Sequence, residues 1–321
     1  FVTATTNSSQ TYHAIVFEEE DTLNFLPKMF SEPEGYEFSD HIIFGVSDEA
    51  KSKLPQADRI GNTYVELLSA SKGNGSANFP QDNDGVIRRA PTAIYFEGAD
   101  HVYPSLVMSA VIDILGIKKD GGFDYDFKNN VLNLIDTTDT VVRTIPIDDN
   151  GRMYVNYFGK FQTFYYLPYS YCMDPEMLPP DYWEGKVAFV GASLPGLMDL
   201  RNTPVQETFA GVEIHANVMH SILQNDFVLV KDNVSTFYSI LLLCMAIGIL
   251  ISFPKKPFYA LPVPILGVVG WVIYANLQFL NDLTMIEVVR PIMSIIGTFG
   301  GIFLYNYFGA EKDKIFLKNT F

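Results

Sequence analysis

Cysteine is scarce in this chain, with only 2 among 321 residues. Cys172 lies in the polar first part of the sequence, and Cys244 lies inside a long apolar run near the end. The two cannot pair across a membrane, so the disulfide framework that holds many small secreted domains is excluded for the first part. A stretch of about 230 residues is long enough to bury a hydrophobic core without one.

Basic residues are also in short supply, because 22 Lys and Arg stand against 37 Asp and Glu and give a formal charge of −15. The residues from Ser235 onward carry a net +2, so the first 234 residues carry −17. So acidic a domain lacks the basic footprint that nucleic acid or an anionic membrane face requires. Nucleic acid is therefore not an expected partner, and the acidity indicates an exposed, soluble domain.

Signatures of catalysis are missing. The loop Gly191-Ala-Ser-Leu-Pro-Gly196 follows an apolar segment, but no Lys-Ser/Thr pair follows its second glycine, as a phosphate loop requires. Ser193 does not stand in a Gly-x-Ser-x-Gly motif, so it is a poor candidate for a hydrolase nucleophile. We expect no catalytic residue and no cofactor in this segment.

A metal site is also not expected. His215 and His220 would lie roughly 140° apart on a helix and so do not share a face. Glu213, Asn217 and His220 do line up at helical spacing, but they are a poor ligand set for zinc. We expect Glu213 or His215 to bind backbone groups near the junction of a strand, a loop and a helix.

Long apolar runs, in contrast, dominate the end of the chain: Thr236 to Phe253, Phe258 to Phe279, and Val288 to Phe308. At about 1.5 Å per helical residue, each run approaches the roughly 30 Å thickness of a bilayer core. The runs predict three membrane helices within residues 235–308, with lipid as a partner.

The charges between these runs predict the orientation. Lys255 and Lys256 link the first two runs and three more lysines follow the third, whereas the link from Leu280 to Glu287 carries only acidic charge. Positive-inside logic places the lysines in the cytoplasm. We therefore expect residues 1–234 to be extracytoplasmic and residues 309–321 to be a cytoplasmic linker.

Strands and helices alternate in the first part, beyond a weakly patterned stretch of forty residues. Apolar patterns and turn residues predict strands at His41–Val46, Thr92–Phe96, Thr144–Ile147, Arg152–Tyr157 and Lys186–Val190, helices at Tyr103–Leu115 and Val212–Gln224, and a surface loop at Gly73–Asn78. This mixture indicates an α/β sandwich, with a mixed sheet and flanking helices.

Two groups of charged residues are expected in loops near strand ends. Arg88 and Arg89 follow the tight turn that contains Asp84, while Asp199 and Arg201 lie between the last strand and the last helix. The groups can line a shared cleft, because α/β sheets bind ligands at strand ends. They can also form internal ion pairs that hold the loops, which is the simpler interpretation.

In the third apolar run, Gly297 and Gly301 form a Gly-x-x-x-Gly pair. Small residues at this spacing allow two helices to approach closely. The pair serves either packing among the three helices of one chain or the contact of two chains in a dimer.

Several motifs occur in a characteristic order: Asp84-Gly-Val-Ile-Arg-Arg-Ala-Pro91, Tyr103-Pro-Ser-Leu106, Gly185-Lys-Val-Ala-Phe-Val-Gly-Ala-Ser193, Asp199-Leu-Arg-Asn-Thr-Pro204 and Gly211-Val-Glu-Ile-His-Ala-Asn217. With three C-terminal membrane helices, they resemble the type-two CHASE domain, the cyclase- and histidine kinase-associated sensory extracellular domain of bacterial receptors. The last motif is the most specific.

The resemblance implies a sensor for an unknown extracellular ligand in the inner membrane of a bacterium, acting as a homodimer through the ectodomain and the membrane helices. The segment from Glu311 to Phe321 resembles the juxtamembrane helix that enters a class III adenylate or guanylate cyclase, whose own domain would bind Mg²⁺ and ATP and make cyclic AMP. The ligand or loop-organising candidates are Asp84, Arg88, Arg89, Ser193, Asp199, Arg201, Glu213 and His215.

Other interpretations remain. A serine/threonine or histidine kinase would need a similar connector. A structural or assembly protein would use the aromatic residues between Tyr154 and Tyr166 as a binding surface, unless they are core. Family members also begin with a membrane helix, a strand and a helix that are not recognisable in residues 1–40, so we expect an incomplete N-terminal part.

Overall fold

A computed structural model describes residues 2–18, 41–61, 64–174, 176–179, 181–193, 200–231, 233–253 and 257–320. The chain divides into two compact units, Phe1–Phe227 and Val228–Phe321.

The first unit combines helices with small sheets. Its helices are α1 Val2–Ser8, α2 Asp48–Lys53, α3 Val65–Ala70, α4 Leu106–Leu115, α5 Tyr169–Cys172 and α6 Gly211–Gln224. Its strands are β1 Tyr12–Ile15, β2 Phe17–Glu18, β3 Gln56–Ala57, β4 Arg59–Ile60, β5 Gly73–Ser76, β6 Arg89–Pro91, β7 Ala93–Phe96, β8 His101–Pro104, β9 Phe123–Asp126, β10 Val131–Ile135, β11 Val141–Pro146, β12 Arg152–Tyr154, β13 Leu200–Arg201 and β14 Phe209–Ala210.

The strands pair in two three-stranded sheets, β3-β7-β8 and β11-β10-β9, and in the two-stranded sheets β1-β5, β2-β4, β6-β12 and β13-β14. Both parallel and antiparallel pairs occur, as in β1-β5 and β6-β12. The predicted mixed α/β class is thus confirmed, although the described strands form several small sheets rather than one extended sheet.

Helix α4 lies at the centre of the main core. The Ser105 side chain accepts a hydrogen bond from the Met108 amide at 3.3 Å, and Gly116 ends the helix at φ 65°. The predicted start at Tyr103 is too early, because Tyr103 and Pro104 belong to β8. Five apolar residues and one serine of α4 are buried, and they pack with apolar side chains of β9, β10 and α6.

The predicted surface loop Gly73–Asn78 is wrong, because β5 occupies Gly73–Ser76 and all of its residues are buried. A Cβ atom on Gly75 would lie 2.6 Å from the Ser105 carbonyl oxygen, and one on Gly73 would lie 2.5 Å from the Ser109 hydroxyl. The glycines therefore serve a close approach of β5 to α4 and not a turn.

Two predicted strands do not form regular ladders. In His41–Val46, only isolated bridges are present, from Ile43 and Phe44. Lys186–Val190 has no regular structure, and Val190 is 85% exposed. A strand needs a neighbour to satisfy its backbone groups, and apolar composition alone does not supply one.

The weak pattern of the first forty residues conceals regular elements within residues 2–18. Helix α1 and strands β1 and β2 form there, and Ile15 and Phe17 are buried in a second apolar cluster with Phe96 and Tyr103. Strand β1 pairs in parallel with the glycine-containing β5. Residues 19–40 lie outside the described part of the chain.

The second unit contains helices α7 Asn233–Ser252, α8 Pro262–Asp282 and α9 Val289–Thr320, and the short strands β15 Leu229–Val230 and β16 Thr284–Met285. Three stretches within these helices are long and apolar enough to cross a membrane: Val234–Ser252, Pro262–Asp282 and Val289–Gly309. The three predicted membrane helices are thereby confirmed, with small shifts at their ends. The chain is a membrane protein.

The membrane helices pack through some of their glycines and not others. A Cβ atom on Gly267 would lie 2.8 Å from Ile247, so α8 and α7 approach closely there. A Cβ atom on Gly297 or Gly301 would meet no described atom within 4 Å. In the described part of the chain, the Gly-x-x-x-Gly pair of α9 is thus not used for contact with α7 or α8.

Candidate functional site

Glu213 lies in the first turn of α6 and is only 2% exposed. Its carboxylate accepts hydrogen bonds from the backbone amides of Gln162 and Thr163 at 3.0 Å and of Phe164 at 3.3 Å, and from the Tyr166 hydroxyl at 2.9 Å. A buried carboxylate is stable only when such donors replace water. Glu213 therefore organises the loop from Phe158 to Tyr166.

The same face of α6 holds the loop at other points. The Asn217 side chain accepts a hydrogen bond from the Phe158 amide at 3.0 Å, and the His220 ring meets the Phe158 ring at a centroid distance of 4.4 Å. Outside α6, between β13 and β14, the Gln206 side chain also accepts from the Phe161 amide at 3.2 Å. The alignment of Glu213, Asn217 and His220 along the helix thus serves loop binding.

His215 points to a different side of α6. Its ring lies 4.4 Å from the Phe79 ring and stacks on Phe189 at 6.3 Å and 13°. Burial lowers the pKa of His215 to about 4, so the ring is neutral near pH 7. A neutral histidine among aromatic rings is a packing residue, and Phe189 brings the segment that was expected to be a strand against α6.

Arg143 holds the other end of α6. From strand β11, its guanidinium donates to the carbonyl oxygens of Ile222 at 2.9 Å and Leu223 at 3.1 Å. The last carbonyls of a helix lack intrahelical partners and attract positive charge. This residue is not among the predicted ones, since a lone arginine in a strand carries no signal of a distant helix end.

A second polar cluster is built on two tight turns. The Gly85 amide donates to the Asp82 carbonyl at 2.8 Å, and the Gly151 amide donates to the Asp148 carbonyl at 3.0 Å. Both glycines have positive φ, 77° and 67°, a conformation that other residues rarely adopt. The first turn precedes β6, and the second precedes β12.

The pairing of these two strands aligns their arginines. Arg152 stands opposite Pro91, two residues after Arg89, so both arginines lie on one face of the pair. Ala90 and Met153 lie on the other face and are each 1% exposed. Burial of one face therefore directs the arginines to the other.

Three aspartates meet these two arginines and the neighbouring Arg88. The shortest contacts are Arg88 Nη1 to Asp82 at 3.1 Å, Arg88 Nη2 to Asp84 at 2.7 Å, Arg89 Nη2 to Asp82 at 2.5 Å, Arg89 Nη1 to Asp148 at 2.7 Å, and Arg152 Nη2 to Asp148 at 2.9 Å. The arginine–aspartate cleft beside them has a volume of about 470 Å³ and is lined by Gln81, Asp82, Asn83, Asp84, Arg88, Arg89 and Arg152.

The ion pairs control protonation in the cleft. Hydrogen bonds from Arg88 lower the pKa of Asp84 to about 2. Burial alone would raise the pKa of Asp82, but hydrogen bonds from Arg89 and Arg88 outweigh it and lower the pKa. Both aspartates are therefore charged across the physiological range. Arg88 and Arg89 accordingly take part in ion pairs and also line the cleft.

The remaining candidates lie elsewhere. Arg201 is exposed in β13 and is not among the residues that line the cleft, although the neighbouring Asn202 carbonyl accepts from the Ile87 amide at 2.8 Å. Ser193 is half-buried. Two residues earlier, Gly191 lies close to α6, because a Cβ atom on Gly191 would be 2.7 Å from Val212. Asp199 lies outside the described residues.

The aromatic residues near the loop divide between core and surface. Tyr157 and Phe161 are half-buried and pack against the main core. Phe158 and Tyr165 are 37% and 81% exposed. Core packing thus accounts for only some of the group.

Comparison with known protein families agrees with this architecture. The model of the CHASE2 domain matches residues 13–252, a range that runs from β1 through the first membrane helix. The chain belongs to the CHASE2 domain family. No curated protein and no solved structure matches the chain. The CHASE2 region contains both the α6 face that holds the aromatic loop and the arginine–aspartate cleft, and a sensor domain followed by membrane helices is a sensory signalling module.

Proposed function

We propose that this CHASE2 module senses a ligand outside the cell and regulates a class III adenylate cyclase that follows Phe321. The observation that carries the proposal is the direct chain path from the braced helix α6 into the membrane. Helix α6 ends at Gln224 and α7 begins at Asn233. A displacement of α6 would thus reach a membrane helix through a short connector.

The last helix supports an output on the cytoplasmic side. Helix α9 runs without interruption from Val289 to Thr320, whereas its membrane-spanning part ends at Gly309. At about 1.5 Å per residue, the remainder extends roughly 16 Å beyond the span. A continuous helix transmits a shift or rotation to a following domain, which alone would bind Mg²⁺ and ATP.

Dimerisation is part of the proposal, because class III cyclases share active sites between two chains. The open face at Gly297 and Gly301 is the proposed contact between the α9 helices. Replacing both glycines with isoleucine should lower the yield of dimer captured by crosslinking in membranes. An unchanged yield would exclude this contact, and the single variant Gly270→Ile provides a control on α8.

The cyclase itself is tested on the native protein. Peptides that map beyond Phe321 should identify a cyclase domain, and membranes that contain the protein should form cyclic AMP from ATP and Mg²⁺. A kinase domain in those peptides would overturn the cyclase and leave the sensor in place.

An assembly role is favoured by one observation, the exposed apolar side chains between Tyr165 and Val190. Tyr165 is 81% exposed, Met173 is 67% exposed and Val190 is 85% exposed. Apolar surface of this kind marks many protein interfaces. Large ordered assemblies of the purified chain, without response to any ligand, would favour this role over signalling.

A further inference from the structure

The arginine–aspartate cleft is suited to a polar ligand. Its volume of about 470 Å³ falls within the range of roughly 300–1,000 Å³ that is typical of small-molecule sites. Each of its lining residues is charged or carries an amide. An apolar ligand would strip water from these groups without replacing it, so the cleft excludes such ligands.

The hydrogen-bonding capacity that remains in the cleft is mostly donor capacity. Asp82 Oδ1 already accepts from two nitrogens of Arg89, and its Oδ2 accepts from Arg88. Asp148 Oδ2 accepts from both Arg89 and Arg152. Each guanidinium has five N–H groups, more than these carboxylates use. A further partner of these guanidiniums would therefore be an acceptor.

The charges of the cluster are balanced internally, because Arg88, Arg89 and Arg152 meet Asp82, Asp84 and Asp148. An anionic ligand must therefore take the place of one of the aspartates. The most exposed of the aspartates, Asp84, has a side chain 55% accessible and holds Arg88 through both carboxylate oxygens, at 2.9 and 2.7 Å. A fork of two parallel N–H groups is the geometry that carboxylates and phosphates recognise.

We propose that the cleft binds a small soluble oxyanion, a carboxylate or a phosphate, which takes the place of Asp84 on Arg88. Asp84 then acts as an internal competitor that covers the guanidinium until the ligand arrives. The proposal rests on the proposed sensor function and names the class of its ligand. Asp84 lies in the turn from Asp82 to Gly85, and its accessible side chain has room to move away from Arg88.

The test is isothermal titration calorimetry of the full chain in neutral phosphatidylcholine nanodiscs, with citrate and inorganic phosphate as probes at low ionic strength. Saturable binding of at least one probe is expected. Arg88→Gln should weaken binding about tenfold or more, because it removes charge-assisted hydrogen bonds. Lys118→Gln is the control, since it removes one positive charge outside the cleft, from a pair with Asp139.

Asp84→Asn decides between a ligand site and a structural brace. If Asp84 competes with the ligand, its removal should tighten binding by about two- to fivefold, the range expected for an exposed ion pair. This variant is also informative if Arg88→Gln fails to fold. Weaker binding in Asp84→Asn, or no saturable heat from either probe, would overturn the proposal.

Two further arms separate the sources of failure. Loss of citrate binding in nanodiscs that contain phosphatidylglycerol would overturn a soluble ligand in favour of a lipid headgroup. Calorimetry needs no output domain, so a chain that binds citrate and yet regulates no cyclase would retain the ligand site and lose only the proposed output.

Discussion

The substitution Glu213→Gln tests whether one carboxylate holds the aromatic loop on α6. Oε1 accepts from the amides of Thr163 and Phe164, and Oε2 accepts from the amide of Gln162 and the hydroxyl of Tyr166. A glutamine side chain has the same shape but replaces one oxygen with an NH₂ group. At least one backbone N–H would then face another donor inside a buried site.

The magnitude follows from the number of groups affected. A buried donor left without an acceptor costs about 1–3 kcal/mol, and hydrogen bonds to a charged acceptor are stronger than neutral ones. We expect a local loss of about 2–4 kcal/mol. Since each 1.4 kcal/mol is about tenfold, the amides of Gln162, Thr163 and Phe164 should exchange their hydrogens about 30- to 700-fold faster.

Hydrogen exchange of the full chain in detergent, followed peptide by peptide, measures the exchange rates of these loop amides. Glu207→Gln is the matched control, because Glu207 is exposed and loses the same charge. Tyr166→Phe should also speed exchange, and much less so when Glu213 is already glutamine, because the two side chains share one hydrogen bond. Exchange within threefold of the wild type in Glu213→Gln would refute the reasoning and leave aromatic packing as the cause of loop order.

The other predictions concern glycine packing, acid stability and topology. Gly75→Ala should destabilise the chain by about 1–3 kcal/mol in thermal unfolding, more than Gly73→Ala, because its Cβ atom meets backbone rather than side chains that can move. The pKa of Asp84 is lowered to about 2 in the folded state. The stabilisation that the Asp84 carboxylate provides is therefore complete above about pH 4 and is lost as the pH falls towards 2. Arg88→Gln should reduce this acid dependence of stability in a pH titration of unfolding. A membrane-impermeant maleimide should label the exposed Cys172 in intact spheroplasts, with Cys172→Ser as control, and labelling only after lysis would reverse the proposed orientation.

The elements that the sequence predicts well are those with signals inside the element itself. Helix α6 needs only its apolar spacing, and the membrane helices need only length and composition. Strand β5 fails because its glycines are there for a helix that comes later in the chain, and a pattern within Gly73–Ser76 contains no trace of that helix. Lys186–Val190 fails for the opposite reason, because its strand-like composition has no ladder partner in the described part of the chain.

The two candidate sites also differ in how much of each can be predicted from the sequence. Helical spacing alone aligns Glu213 with Asn217 and His220, but the loop that they hold is some fifty residues away, as the hydrogen bonds between Glu213 and residues 162–164 show. In the cleft, the turn residues and both neighbouring arginines are visible in one short stretch. Asp148 and Arg152 are not, because β12 brings them in from a second turn.

The degree to which hydrogen-bonding groups are already used distinguishes a structural contact from a binding site. Around Glu213, each carboxylate oxygen accepts two hydrogen bonds, and the residue is 2% exposed, so the site has little capacity left for another molecule. In the arginine–aspartate cleft the carboxylates are also engaged, but Arg88, Arg89 and Arg152 line the cavity and have more N–H groups than these carboxylates use. A ligand can shift an equilibrium only by interactions that differ between two states. The proposed exchange of Asp84 for a ligand on Arg88 would be such a difference, whereas the saturated contacts of Glu213 hold the loop on α6.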